Sequence, residues 1–256
     1  RLHKASGKTI PNILKKKTSG GNRATAAKLK KFLQQRNHDA IDQGIALARG
    51  LSDPLVFESL LEGCKIDDEG CLIRNKAFSG SGPAQPYLDY ALWNLIGYAP
   101  ENTQMDNSLK RTNITILQLS SDVTSGGNIP DWIYECSNIE VLNWKWTLNG
   151  ISSDLSKLTK LKELRIVNAG LTSLFDFPKL PSLSLLNISS SKLTEIPDII
   201  FDLEGLTTLN LGSNPITEIS SKIKNLTNLK DLDISHCQIK NIPDELFKLK
   251  KLTYIR

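Results

Sequence analysis

The chain has 256 residues, 39% of them hydrophobic and 23% charged. That balance suits a packed globular fold, and no apolar run approaches the roughly 20 residues that span a bilayer. The formal net charge of +5 hides an asymmetry: the first 38 residues hold eleven Lys and Arg and no Asp or Glu, whereas the other 218 hold 21 basic and 27 acidic residues, a net of −6.

Residues 1–38 form a basic arm that is expected to be partly helical, with residues 25–36 placing Leu29, Phe32 and Leu33 on one face. Lys15, Lys16, Lys17, Arg23, Lys28, Lys30 and Lys31 are a candidate phosphate-contacting cluster, which makes nucleic acid one possible partner. The single aromatic, Phe32, fits the apolar side of a helix rather than a base-stacking platform, so a solvated face or tail is the favoured reading. A second helix covers 39–50, with Gly50 as its stop. A third starts at Asp53 as N-cap and Pro54 at its first position, carries the apolar residues Leu55, Phe57 and Leu60, and ends before Gly63. Helices two and three resemble a helical hairpin of the HEAT or armadillo sort. With the loop SGSGPAQP at 79–86 they make a hairpin-and-linker region, 39–85. Residues 87–97 predict an apolar helix with Tyr87, Ala91, Leu92, Leu95 and Ile96 in its stripe, and 86–113 is expected to cap the region that begins at 114.

From 114 onward the chain repeats. The frame Leu-x-x-Leu-x-Leu-x-x-Asn-x-Leu is clearest in Leu206, Leu209, Leu211, Asn214, Ile216 and Ile219. The next copy is Leu229, Leu232, Ile234, Cys237, Ile239 and Ile242. Other copies begin at Ile114, Ile139, Leu161 and Leu183, and a truncated one at Leu252, with spacings of 25, 22, 22, 23, 23 and 23 residues. Alternation in Leu-x-Leu makes a short strand, apolar side inward. The ninth position turns the chain, and its side chain can bond to neighbouring coils; it is held by Asp122, Thr147, Ala169, Ser191, Asn214 and Cys237. Ala169 can make no such bond, so a weaker turn is expected in the third copy. The return leg carries Ile-Pro-Asp at 129–131, 196–198 and 242–244: Ile inward, Pro at the first helical position, Asp at the positive end of the helix dipole. Ile200 with Leu203, Ile223 with Leu226, and Leu246 with Leu249 then close the core from the far side. In the second copy Trp144 takes an inward Leu position and Asn149 falls where an aliphatic belongs, which predicts a distortion around 144–151.

These residues resemble the leucine-rich-repeat family over 114–256, in the 22–25-residue form common in intracellular and bacterial proteins. The resemblance implies an α/β fold: a curved parallel sheet with short helices on the convex side, joined here to an all-α N-terminal region. It also implies a protein-binding role. A leader before Arg1 is left open, and a continuation past Arg256 is expected.

Nothing in the sequence points to catalysis, a cofactor, a metal or a small-molecule substrate. Ser6-Gly7-Lys8-Thr9 lacks the first glycine of a phosphate-binding loop, since Leu2 stands there. His3, His38 and His236 are scattered and accompany no nucleophile motif. Cys64, Cys71, Cys136 and Cys237 lack metal-site spacing and read as reduced thiols of a cytoplasmic protein, with a secreted effector as the alternative. Asn113, Asn187 and Asn225 begin Asn-x-Ser/Thr sequons by chance. The expected binding surface is the concave face. Gln118, Asn143, Arg165, Asn187, Asn210 and Asp233 form one outward column, and Lys145, Trp146, Glu163, Asn168, Asp231 and His236 flank it. The function this implies is a non-enzymatic interaction module with a protein partner and no membrane contact. Its rivals are the scaffold part of a larger effector or signalling enzyme, and nucleic-acid binding through the basic arm.

Overall fold

The computed structural model describes residues 19–35, 37–76, 78–79, 85–119, 127–145 and 147–256. Four α-helices come first: α1 (Ser19–Leu33), α2 (His38–Leu51), α3 (Pro54–Leu61) and, after a two-stranded hairpin, α4 (Gln85–Tyr98). Within the arm, α1 starts earlier than its periodicity suggests, and Ala26, Leu29 and Leu33 are buried. Part of the basic arm is therefore a core helix with an outer lysine face, not a tail. Residues 1–18, with the Ser6–Thr9 tetrapeptide and three of the cluster lysines, lie outside the described residues.

Asn37 caps α2 by accepting from the Ala40 N–H. The helix runs past Gly50 and stops at Ser52, which takes the left-handed conformation at φ 43°. Gly50 is therefore not its terminator. Asp53 caps α3 by accepting from the Leu55 N–H, with Pro54 at the first position and Gly63 just beyond the end at φ +77°. The α2–α3 hairpin is not the dominant pairing. Helix α1 packs on both α2 and α3, and α4 lies against both of them. Tyr90 Oη of α4 donates to Asp42 of α2 at 2.7 Å.

Between α3 and α4 lies an antiparallel hairpin, β1 (Lys65–Ile66) and β2 (Leu72–Ile73), which periodicity over so few residues does not reveal. Its turn is built by Asp67, whose Oδ1 accepts from the Glu69 and Cys71 N–H groups at 3.1 and 2.8 Å. Arg74, just after β2, forms a two-pronged ion pair with the buried Asp89 of α4.

Seven parallel strands follow in chain order: β3 (Ile116–Leu119), β4 (Val141–Trp144), β5 (Glu163–Ile166), β6 (Leu185–Asn187), β7 (Thr208–Asn210), β8 (Asp231–Asp233) and β9 (Tyr254–Ile255). Each alternates half-buried and buried side chains, apart from β9, whose residues are exposed. The buried ones stack in layers, Leu117, Leu142, Leu164, Leu186, Leu209 and Leu232 being aligned by the register. Each such leucine contributes about 1.5–3 kcal/mol by leaving water. One continuous core joins these layers to the helical region, where Trp93 of α4 stacks on Trp132 of the first return leg, centroids 6.3 Å apart.

The return legs are 3₁₀ rather than α-helical: Asp131–Glu135, Ser153–Lys157, Asp198–Asp202, Ser221–Asn225 and Asp244–Lys248. Pro130, Pro197 and Pro243 sit at the cap, with ψ near 140°, and not at the first helical position, which falls to the Asp. Where no Pro precedes, Ser152 and Ser220 cap instead, accepting from the Asp154 and Lys222 N–H groups. Ile129 and Ile196 are buried as expected, whereas Ile242 is 40% exposed. The third return leg, 171–182, forms no helix and leaves Phe175 93% exposed. The irregularity expected in the second copy is present. Trp144 is fully buried, but Leu148 takes the inward place one residue early, and Asn149 is exposed.

Candidate functional surface

The strand register places Gln118, Asn143, Arg165, Asn187, Asn210 and Asp233 abreast on the open face of the sheet, opposite the 3₁₀ turns. All six are half-buried. Several are not idle. Asn187, Asn210 and Asp233 each turn one side-chain oxygen back to the N–H two residues on, at Ser189, Gly212 and Ser235, at 3.0, 2.9 and 3.0 Å. These Asx bonds bend the chain off the end of each strand. Gln118 is drawn into the hairpin: its side-chain amide donates to the Glu69 carbonyl at 2.7 Å and its N–H to Gly70 at 3.3 Å. The turn thus covers the N-terminal edge of the sheet, a position where bare backbone groups would invite pairing.

At mid-column Arg165 pairs with Glu163 of the same strand at 2.5 Å and donates to Asn143 Oδ1 at 3.4 Å. Toward the far end Thr208 Oγ1 donates to Asp231, and Asn210 Nδ2 to Asp233, both at 3.4 Å. Burial works against ionisation of Asp233, but two bonds from Ser235, with Arg256 and His236 nearby, hold its carboxyl below the usual range. Lys145 follows β4 and is exposed. Trp146 lies outside the described residues. His236 is exposed as expected, although it belongs to the turn after β8 at φ 55°, not to the strand itself. Asn168, Ser190 and Ser213 take the same left-handed conformation at the equivalent place in the preceding three coils.

Sequence reasoning took Glu163 and Asp231 from the third position of the frame but passed over Ile116, Val141 and Leu185, their half-buried neighbours on β3, β4 and β6. Alternation was the signal that could have found them, because residues two apart share a face. The open face therefore carries the aliphatic Ile116, Val141 and Leu185 beside its polar column, with Glu163 between the last two.

A cleft of about 960 Å³ opens between α1, α3 and the segments 62–65 and 104–106. Two of its carboxylates serve the backbone, Glu58 accepting from the Gln104 N–H and Asp106 from Ser108. Among the described residues, no three metal-ligating side chains converge. No helix among them is long and apolar enough to cross a membrane.

The family model described as Leucine rich repeat matches residues 159–216, 181–237 and 205–256. No curated protein matches the sequence significantly. Among solved structures the chain is similar to a leucine-rich-repeat protein of Leptospira interrogans, at 21% identity and a TM-score of 0.45, over 64% of this chain and 50% of that one. It is also similar to an internalin from Listeria monocytogenes, at 22% identity and a TM-score of 0.43, over 56% and 48%. A third similar structure is a plant peptide hormone receptor in complex with RGF2, at 24% identity and a TM-score of 0.47, over 63% and 28%. The chain thus spans about half the length of the first two and 28% of the third. The repeat model is matched three times over 159–256, and one strand joins the parallel sheet at every repeat, so this region of the chain is built of leucine-rich repeats.

Proposed function

We propose that the chain is a non-enzymatic module that holds a protein partner on the open, concave face of its sheet. Leucine-rich-repeat domains generally mediate protein–protein interaction and are typically non-catalytic. The observation that carries the reading is the register: six polar, half-buried side chains stand abreast over consecutive strands, with the aliphatic Ile116, Val141 and Leu185 in the row beside them. Each strand is held by its neighbours, so a partner meets a surface that loses little freedom on binding. In this reading 86–113 caps the solenoid and 114–256 carries the binding face, with Gln118, Asn143, Lys145, Trp146, Glu163, Arg165, Asn187, Asn210, Asp231, Asp233 and His236 as its contact residues. A bacterial, cytoplasmic setting fits four cysteines that are all free thiols.

Affinity capture tests the reading by comparing the wild type with Arg165→Glu/Asp231→Lys on the open face and Lys28→Glu/Lys31→Glu on the outer side of α1. A protein bound by the wild type and by the α1 variant, but lost with the open-face variant, supports it. A partner lost only with the α1 variant, or recovery of nucleic acid, overturns it.

A further inference from the structure

Arg165 lies on β5 with Asn143 beside it on β4 and Asn187 on β6. Asn143 presents its Oδ1 to Arg165, and Asn187 commits its Oδ1 to the Ser189 N–H. Each amide also has Nδ2, which can only donate, while its oxygen already accepts one bond. Over three consecutive strands the column therefore offers mainly N–H donors, its two amide oxygens each already accepting one bond. Lys145, exposed beyond β4, makes no ion pair among the described residues. The carboxylate that does meet Arg165 comes from its own strand: Glu163, at 2.5 Å. It stands where an acidic ligand would stand. Three strands further on the sign reverses, with Asp231 and Asp233 on β8.

We propose that Arg165 anchors a carboxylate side chain of the partner, which displaces Glu163 and also accepts from the amides of Asn143 and Asn187. A basic side chain of the same partner segment lies over Asp231 and Asp233. This rests on the open-face reading above. A half-exposed ion pair is weak, so a carboxylate gathering two further donors replaces Glu163 readily. Strands are about 4.8 Å apart, which puts β5 and β8 roughly 14 Å apart. About four residues of extended chain cover that distance. The occupant is thus an extended polypeptide segment with an acidic and a basic residue about four positions apart, its chain crossing β6 and β7 over Leu185 and Thr208.

A phage-displayed random dodecapeptide library selected on the 256-residue chain provides the probe. Enriched peptides are expected to carry Asp or Glu about four residues from Lys or Arg. Arg165→Gln should weaken their binding roughly tenfold, the scale of one charge-assisted pair. Glu163→Gln should strengthen it several-fold by removing the internal competitor, a gain that no misfolded variant would mimic. Asp231→Asn/Asp233→Asn should weaken it. Peptides blocked by Leu185→Arg but indifferent to Arg165→Gln and Glu163→Gln would overturn the carboxylate anchor while leaving the face as the binding site. Peptides indifferent to all of these variants but lost with Lys28→Glu/Lys31→Glu would overturn both.

Discussion

The side chain of Gln118 on β3 reaches the carbonyl of Glu69, 2.7 Å away, across the junction between the hairpin and the sheet. The backbone makes the same crossing next door, from the Gln118 N–H to Gly70. Gly70 has φ +79°, and a Cβ added there would come within 2.7 Å of the Ile116 carbonyl oxygen. Both the conformation and the close approach require glycine.

Gly70→Ala is accordingly expected to destabilise the protein by about 1–3 kcal/mol through strain and the displaced edge contact. Urea unfolding measures it. A midpoint unchanged from the wild type would show that the hairpin does not hold the sheet edge.

Asn214 is buried at the ninth position, donating to the carbonyls of Ile188 and Leu211 and accepting from the Leu193 N–H. Ser191, its counterpart one coil earlier, is buried with no partner for its hydroxyl among the described residues. Asn214→Ala should cost about 2–4 kcal/mol, because it strands backbone groups of two coils. Ser191→Ala should be neutral or stabilising by about 1 kcal/mol, since it removes an unsatisfied group. The same unfolding series reads both, and a large loss at Ser191 would contradict the assignment.

Asp233 gives the fold a signed dependence on pH. Its carboxyl is lower in the folded chain than the ordinary unfolded value of about 3.9. Such a group adds stability above the unfolded value and loses it as pH falls through the folded one. The stability gap between the wild type and Asp233→Asn should therefore be constant from pH 7 to about 5 and close below about 4. A gap that widened in acid would reverse the sign.

Thiol chemistry separates two cysteines. Cys136 is fully buried, and burial pushes its thiol up to about 12, with Arg111 pulling down and Glu135 adding a smaller upward push. Cys71 is exposed, held above the ordinary thiol value by partial burial and by Asp67 and Glu69. Ellman's reagent at pH 8 should label Cys71 first, at a rate that rises with pH and with Glu69→Gln. Cys136 should wait for unfolding. Early labelling that persists in Cys71→Ser would refute the assignment.

Much of the solenoid can be read from residue types alone, because a repeat of 22–25 residues fixes which side chains are stacked. Leu209 and Leu232 had to be neighbours once their copies were aligned, and the polar column came from alternation. The hairpin at 65–73 could not be read, since two residues per strand carry no period and its purpose lies 49 residues away at Gln118. The α2–α3 hairpin was misjudged for a related reason: apolar stripes say that a helix packs, not on which neighbour. Pro130 and its equivalents start a helical turn as composition suggests, but as its cap, in extended backbone, one residue before the first helical position.

By itself the sequence determined the architecture and the strand register, since hydrophobic periodicity is a property of the chain that survives any detail of packing. Only the tertiary structure decided what the open face has to offer. Whether an asparagine oxygen is free or already bonded to the next turn depends on backbone placed by adjacent coils. That placement turned a plain polar column into three strands of donors around Arg165, with carboxylates beyond them at β8.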